Sequence, residues 1–157
     1  MSDHEFTLYK NDRSWHYAIV DTITDLKPKT RYAYRTGGEF LSILIDDKWG
    51  AKDIFDKGLK VYPEYWPLSY SAAYHYMAEI KDPARAAELL LQTHANKPGG
   101  ADWLLSLVGK LYTEAGQKQL AIAALSNYLK NFPEGDAVDR VKERLKILGV
   151  DPLTIAK

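Results

Sequence analysis

His75 and Glu79 are the residues whose type and spacing come nearest to chemistry. Four places apart on a helix, they share one face, which sets an imidazole beside a carboxylate as acid–base work or metal binding would need. Two ligands do not make a metal site, and the sequence offers no recognisable third. His4, His16 and His94 form no cluster with the pair. The plainer reading is a polar pair lining a surface. The chain has no cysteine, which removes disulfides, thiolate metal sites and cysteine nucleophiles. No glycine-rich phosphate loop, nucleophile elbow or zinc-binding helix motif occurs. Gly37-Gly38 and Gly99-Gly100 read as turn or close-packing glycines. The expectation is a protein that is not an enzyme and uses no cofactor or metal.

The aromatic residues invite a different reading, that of a binding box. Tyr70, Tyr74, Tyr76, Tyr112 and Tyr128 lie at helical spacing, where such rings usually serve as core or as wedges between helices. Lys+Arg and Asp+Glu both number 21, so the net charge is zero and the basic field required for non-specific nucleic-acid binding is missing. No apolar run nears the roughly 20 residues that span a bilayer. The polar start, Met1-Ser2-Asp3-His4-Glu5-Phe6, has no signal-peptide core. These features predict a soluble chain, cytoplasmic as written. A membrane-associated or periplasmic setting belongs to a chain from which an anchor has been removed.

The elements that must position these residues follow from a repeat. Pro28, Pro63, Pro98 and Pro133 are spaced by 35 (63−28, 98−63, 133−98). Ala51, Ala86 and Ala121 keep the same period, as do Phe55, Leu90 and Leu125. Proline closes a helix, because it lacks an N–H and disfavours helix at the residue before it. A small residue lets two helix axes approach, and a large apolar residue one turn later fills the space between neighbours. Each such hairpin leaves an apolar face that only the next hairpin covers, so the units are expected to stack into an α-solenoid.

The fold class predicted is all-α. Residues 1–157 make a single domain of three hairpins, about 32–66, 67–101 and 102–135, with helices over 31–45 and 48–61, 67–80 and 83–96, and 102–115 and 117–131. An extra N-terminal helix, about 15–27, fills the second-helix slot before Pro28, with Ala18, Ile19, Ile23 and Leu26 as its apolar stripe. A capping helix follows at about 136–148, its basic residues forming the solvent face. Asp82-Pro83 is an N-cap with proline at the first helical position. The first dozen residues and the tail from Asp151 are weakly patterned.

The unit from Asp102 to Gly135 resembles a tetratricopeptide repeat. Gly109, Tyr112, Gly116, Ala121, Leu125 and Pro133 fall at that family's spacing, and Tyr128 departs from it where a small residue is preferred. The middle unit keeps Ala86, Leu90 and Pro98 but has Tyr74 in place of glycine. The first keeps Ala51, Phe55, Gly58 and Pro63, with Gly38 one place early. A weaker resemblance covers Asp21 to Tyr70. Thr24-Asp25-Leu26, Pro28, Ala33-Tyr34-Arg35 and Lys57-Gly58-Leu59 are similar to uncharacterised bacterial tetratricopeptide proteins, a group that brings no known activity.

The resemblance implies a concave surface built from the first helix of each hairpin. Carried over by position, it comprises Thr36, Phe40, Ile43 and Leu44, then Leu68, Ser71, Ala72, His75 and Glu79, then Trp103, Ser106, Leu107, Lys110 and Glu114. Phe40, Ile43, Leu68, Trp103 and Leu107 would make it apolar, suited to a peptide or helix of a partner protein. Two other outcomes stay open: the N-terminal helix or a terminal segment folds over this surface, or the face is misassigned. The lysine, asparagine and arginine with which chaperone-binding members grip a C-terminal carboxylate are replaced by Thr36, Phe40, Ala72, Trp103 and Leu107. An interaction scaffold or adaptor is therefore the leading expectation. A permanent subunit of a larger complex, at a membrane or away from one, comes second, and a small-ligand or enzymatic protein using His75 and Glu79 third.

Overall fold

The structure, a computed structural model, describes residues 8–9 and 12–155. His4 and most of the weakly patterned first dozen residues lie outside the described part. The described chain is helical: α1 (Trp15–Leu26), α2 (Arg31–Ile43), α3 (Lys48–Val61), α4 (Trp66–His75), α5 (Pro83–Asn96), α6 (Leu104–Glu114), α7 (Lys118–Asn131) and α8 (Val138–Ile147). A short antiparallel ribbon, β1 (Leu8–Tyr9) with β2 (Arg13–Ser14), precedes them. Each predicted helix is present to within about two residues, and the 35-residue prolines stand at the helix ends.

One departure is local. The helix expected over 67–80 is α-helical only to His75 and continues as a π-helical turn, Tyr76–Ile80. Lys81 then adopts a left-handed conformation (φ 62°) and returns its N–H to the Tyr76 carbonyl, which stops the helix. Asp82 caps the next helix by accepting from Arg85 N–H at 3.0 Å. The chain divides here into two compact units, Met1–Lys81 and Asp82–Lys157, so the division falls inside the middle predicted hairpin.

In the first unit, α2 packs on α3, and α4 packs on both. Tyr34, Leu41, Ile54, Phe55 and Leu68 are the large side chains fully buried there. Two glycines set the approach. A Cβ at Gly38 would lie 2.5 Å from Phe55 Cε1, and one at Gly58 would lie 2.5 Å from Tyr34 Cβ. Ser14 caps α1 by accepting from Tyr17 N–H at 3.1 Å, and its own N–H donates to Asp47 Oδ2 at 2.7 Å. Asp47 in turn caps α3 through Gly50 N–H. One carboxylate thus ties the starts of α1 and α3 together. Lys57 of α3 completes the attachment of α1, donating to Asp21 Oδ1, Thr24 Oγ1 and Asp25 Oδ1 at 2.6–2.8 Å.

In the second unit, α6 packs on α5 and α7, and α8 packs on α7. Gly109 lies against Leu125, leaving no room for a Cβ. Leu105, Leu125, Tyr128, Leu129, Val138, Val141 and Leu145 form one buried cluster. Tyr128, the residue that departs from the repeat pattern, is only 8% exposed and stacks on Phe132 with ring centroids 5.1 Å apart. No helix among the described residues is long and apolar enough to cross a membrane.

Candidate functional site

A cleft of about 340 Å³ opens between α2 and α4 with its π turn. Helical spacing explains its walls. Arg35, Glu39 and Ser42 recur along one face of α2, while Ser71, His75 and Glu79 recur along the facing helix. Phe55 forms the apolar floor, and Ile43, 76% exposed, stands at the rim.

The walls are held by hydrogen bonds. Arg35 Nε donates to Glu39 Oε1 at 2.9 Å and to Ser71 Oγ at 3.3 Å, and the Ser71 hydroxyl donates to the same Glu39 oxygen at 2.6 Å. Deeper in, His75 is buried and both of its ring nitrogens are engaged. Nε2 lies 2.8 Å from the Lys48 carbonyl, an acceptor, so Nε2 carries the proton. Nδ1 then accepts from the Ser42 hydroxyl at 2.8 Å. Burial holds His75 below its ordinary pKa, against the opposing pull of the Lys48 carbonyl and of the Glu79 and Asp56 carboxylates. Tyr70 and Tyr74 form the outer wall, with centroids 4.9 Å apart and hydroxyls 3.4 Å apart. The hydrogen bond to Tyr74, then burial, pushes the Tyr70 phenol up to about 12.

The structure thus gathers His75, Glu79 and Ile43 into one cleft. Phe40 is half-buried and meets the edge of His16 of α1 at a centroid distance of 5.8 Å. Leu68 has no exposed surface and belongs to the core of the first unit. Trp103, just ahead of α6, is 52% exposed. On α6, Leu107 is half-buried, and Lys110 is exposed with Glu114 at 3.7 Å. These three residues lie in the second unit and are described within it alone.

Position-by-position reading passed over Arg35, Glu39 and Ser42. The signal that would have found them is the early glycine. Two periods of 35 before Gly109 is position 39 (109−70), but the glycine that meets Phe55 is Gly38. One residue is about 100° of helix, so the faces of α2 are turned by that much from the expected register. Moving Thr36, Phe40, Ile43 and Leu44 back one place gives Arg35, Glu39, Ser42 and Ile43, the residues α2 contributes to the cleft. The surface is consequently more polar than expected.

A second exposed feature lies on α1. Trp15, Ile19, Ile23 and Leu26 are 47–77% exposed and run along one face. Among the described residues, no group of three or more His, Cys, Asp or Glu side chains is placed to hold a metal ion. No family model and no curated protein matches the chain.

Proposed function

We propose that the chain is a tetratricopeptide-like, α-solenoid interaction module and that the α2/α4 cleft binds a segment of a partner polypeptide. The observation that carries the reading is the cleft itself. It is concave, floored by a buried aromatic ring and rimmed by an exposed isoleucine, and its polar walls are already fixed by hydrogen bonds. A preorganised surface of this kind loses little ordering entropy on binding. The repeat supports it independently, because α2 and α4 are first helices of successive units and such helices line the concave face of this architecture.

The arrangement favours binding over catalysis. Both nitrogens of His75 are occupied by structural partners, so the ring holds Ser42 and the start of α3 in place. Ser42 also sits in the last turn of α2, where the negative end of the helix dipole opposes a developing oxyanion.

The test is affinity capture at native expression level with mass spectrometry, comparing wild type with Ile43→Glu/Tyr74→Ala. Circular dichroism first establishes that the variant is as helical as wild type. A partner recovered by wild type and lost by the variant supports the cleft. The same partner recovered by both, or none by either, removes it.

A second reading, a permanent subunit of a larger assembly, is favoured by the α1 stripe. Adding 35 to Trp15, Ile19 and Ile23 gives Gly50, Ile54 and Gly58, all buried in α3. On the corresponding face of α1, Ile19 and Ile23 remain about half exposed, and a partner helix would supply further cover. Loss of a complex on Ile19→Glu/Ile23→Glu, with no loss on the cleft variant, favours this reading.

A further inference from the structure

We propose that the cleft takes a lysine or arginine side chain of the partner polypeptide, an inference that rests on the cleft reading above. The charges decide the sign. Glu39 and Glu79 are the carboxylates in the lining and Arg35 is its one guanidinium. The Arg35 charge is met within the wall by Glu39. Glu79 is exposed and forms no ion pair among the described residues. His75, neutral with both nitrogens engaged, adds no positive charge. The cleft is left with one unmatched carboxylate.

The remaining lining suits a long cationic side chain better than other occupants. Ile43 and Ala78, with the buried Phe55 ring beneath them, offer apolar surface to the methylene stem. Tyr70 and Tyr74 also line the cleft, and aromatic rings attract a cationic head group. An anionic occupant would meet two carboxylates while the only guanidinium is engaged. An apolar occupant would bring Glu79 out of water with nothing in return. At about 340 Å³ the space accommodates one long side chain.

The probe is a random-peptide phage library selected on the intact chain. Enriched peptides are synthesised and titrated by calorimetry against wild type, Glu79→Gln and Ile43→Lys, each variant first matched to wild type in thermal unfolding. Glu79 is exposed on the π turn, so Glu79→Gln keeps shape and removes only charge. The expected result is a shared Lys or Arg whose replacement by norleucine weakens binding roughly ten-fold, as loss of a hydrogen bond to a charged group does. Glu79→Gln weakens binding by a similar factor, and in that variant the norleucine swap costs little more, which marks the two groups as one interaction. Peptides that lose binding on Ile43→Lys but carry no such residue, or whose two losses multiply, overturn the cationic anchor and leave the cleft reading standing. No enriched peptide, or enriched peptides indifferent to Ile43→Lys, overturns the cleft reading and the anchor with it.

Discussion

Burial holds the His75 imidazole below its ordinary value of 6.5 even though two carboxylates pull it upward. Stability must therefore depend on pH in a definite direction. As pH falls through 6.5 the unfolded chain takes up a proton that the folded chain still refuses. Stability declines from there until the lower folded value is passed. One group can give a slope of at most about 1.4 kcal/mol per pH unit. Urea unfolding between pH 8 and 5 is expected to show this decline, and His75→Gln is expected to flatten it. The variant also costs about 1–3 kcal/mol at neutral pH, because the Ser42 hydroxyl and the Lys48 carbonyl lose their partner. Equal slopes in the two proteins would mean that the imidazole is not held neutral. The sequence showed His75 and Glu79 on one face, because a spacing of four is legible without a fold. It gave no sign of the Ser42 or Lys48 partners, which approach from 33 and 27 residues away.

Between helices, what was legible and what was not divides along the same line. The prolines at 28, 63, 98 and 133 mark helix ends because their effect is local. The face each helix turns inward depends on which small residue meets which large one, and that is a tertiary fact. In α2 it was missed by one residue, since Gly38 meets Phe55 where the period expects position 39. The π turn was missed for a related reason: its first residue, Tyr76, is anchored from α3, with the hydroxyl donating to Asp56 at 2.7 Å. Gly38→Ala tests the contact. Helix propensity alone favours alanine by about 1 kcal/mol. The new Cβ would lie 2.5–2.8 Å from three carbons of a ring that is 1% exposed, and a buried ring has no free direction in which to move. The net expectation is a loss of about 1–3 kcal/mol by denaturant titration. Lys57→Met addresses α1 instead. Its two carboxylate partners are partly exposed, so the cost of losing the ion pairs is held to about 1 kcal/mol by solvent screening. Amide exchange should quicken over 15–26 more than elsewhere in the first unit.

At the scale of the molecule, the division at Lys81 and Asp82 gives each unit its own buried residues. The sequence suggested one continuous domain because a strict period carries no mark of where contacts thin out. The left-handed Lys81 and the capping Asp82 are local breaks that a repeat pattern reads as an ordinary hairpin turn. Leu145 of α8 tests whether the units are energetically separate. It has no exposed surface and lies in the cluster with Leu105, Leu125, Tyr128 and Val141, so Leu145→Ala removes three carbons and leaves a cavity. The expected cost is about 2–5 kcal/mol, as for other buried leucines. Each unit has its own buried residues, so the loss should stay near where it is made. Hydrogen exchange is expected to accelerate across α6, α7 and α8, with the protection of α2 and α3 changed little. Uniform acceleration from α2 to α8 would mean that the chain unfolds as one cooperative block. A segment bound in the α2/α4 cleft would then stabilise every helix by the same increment. If the loss is local, a bound segment protects the first unit alone, and exchange measured with and without a peptide reports on the cleft without interference from α8.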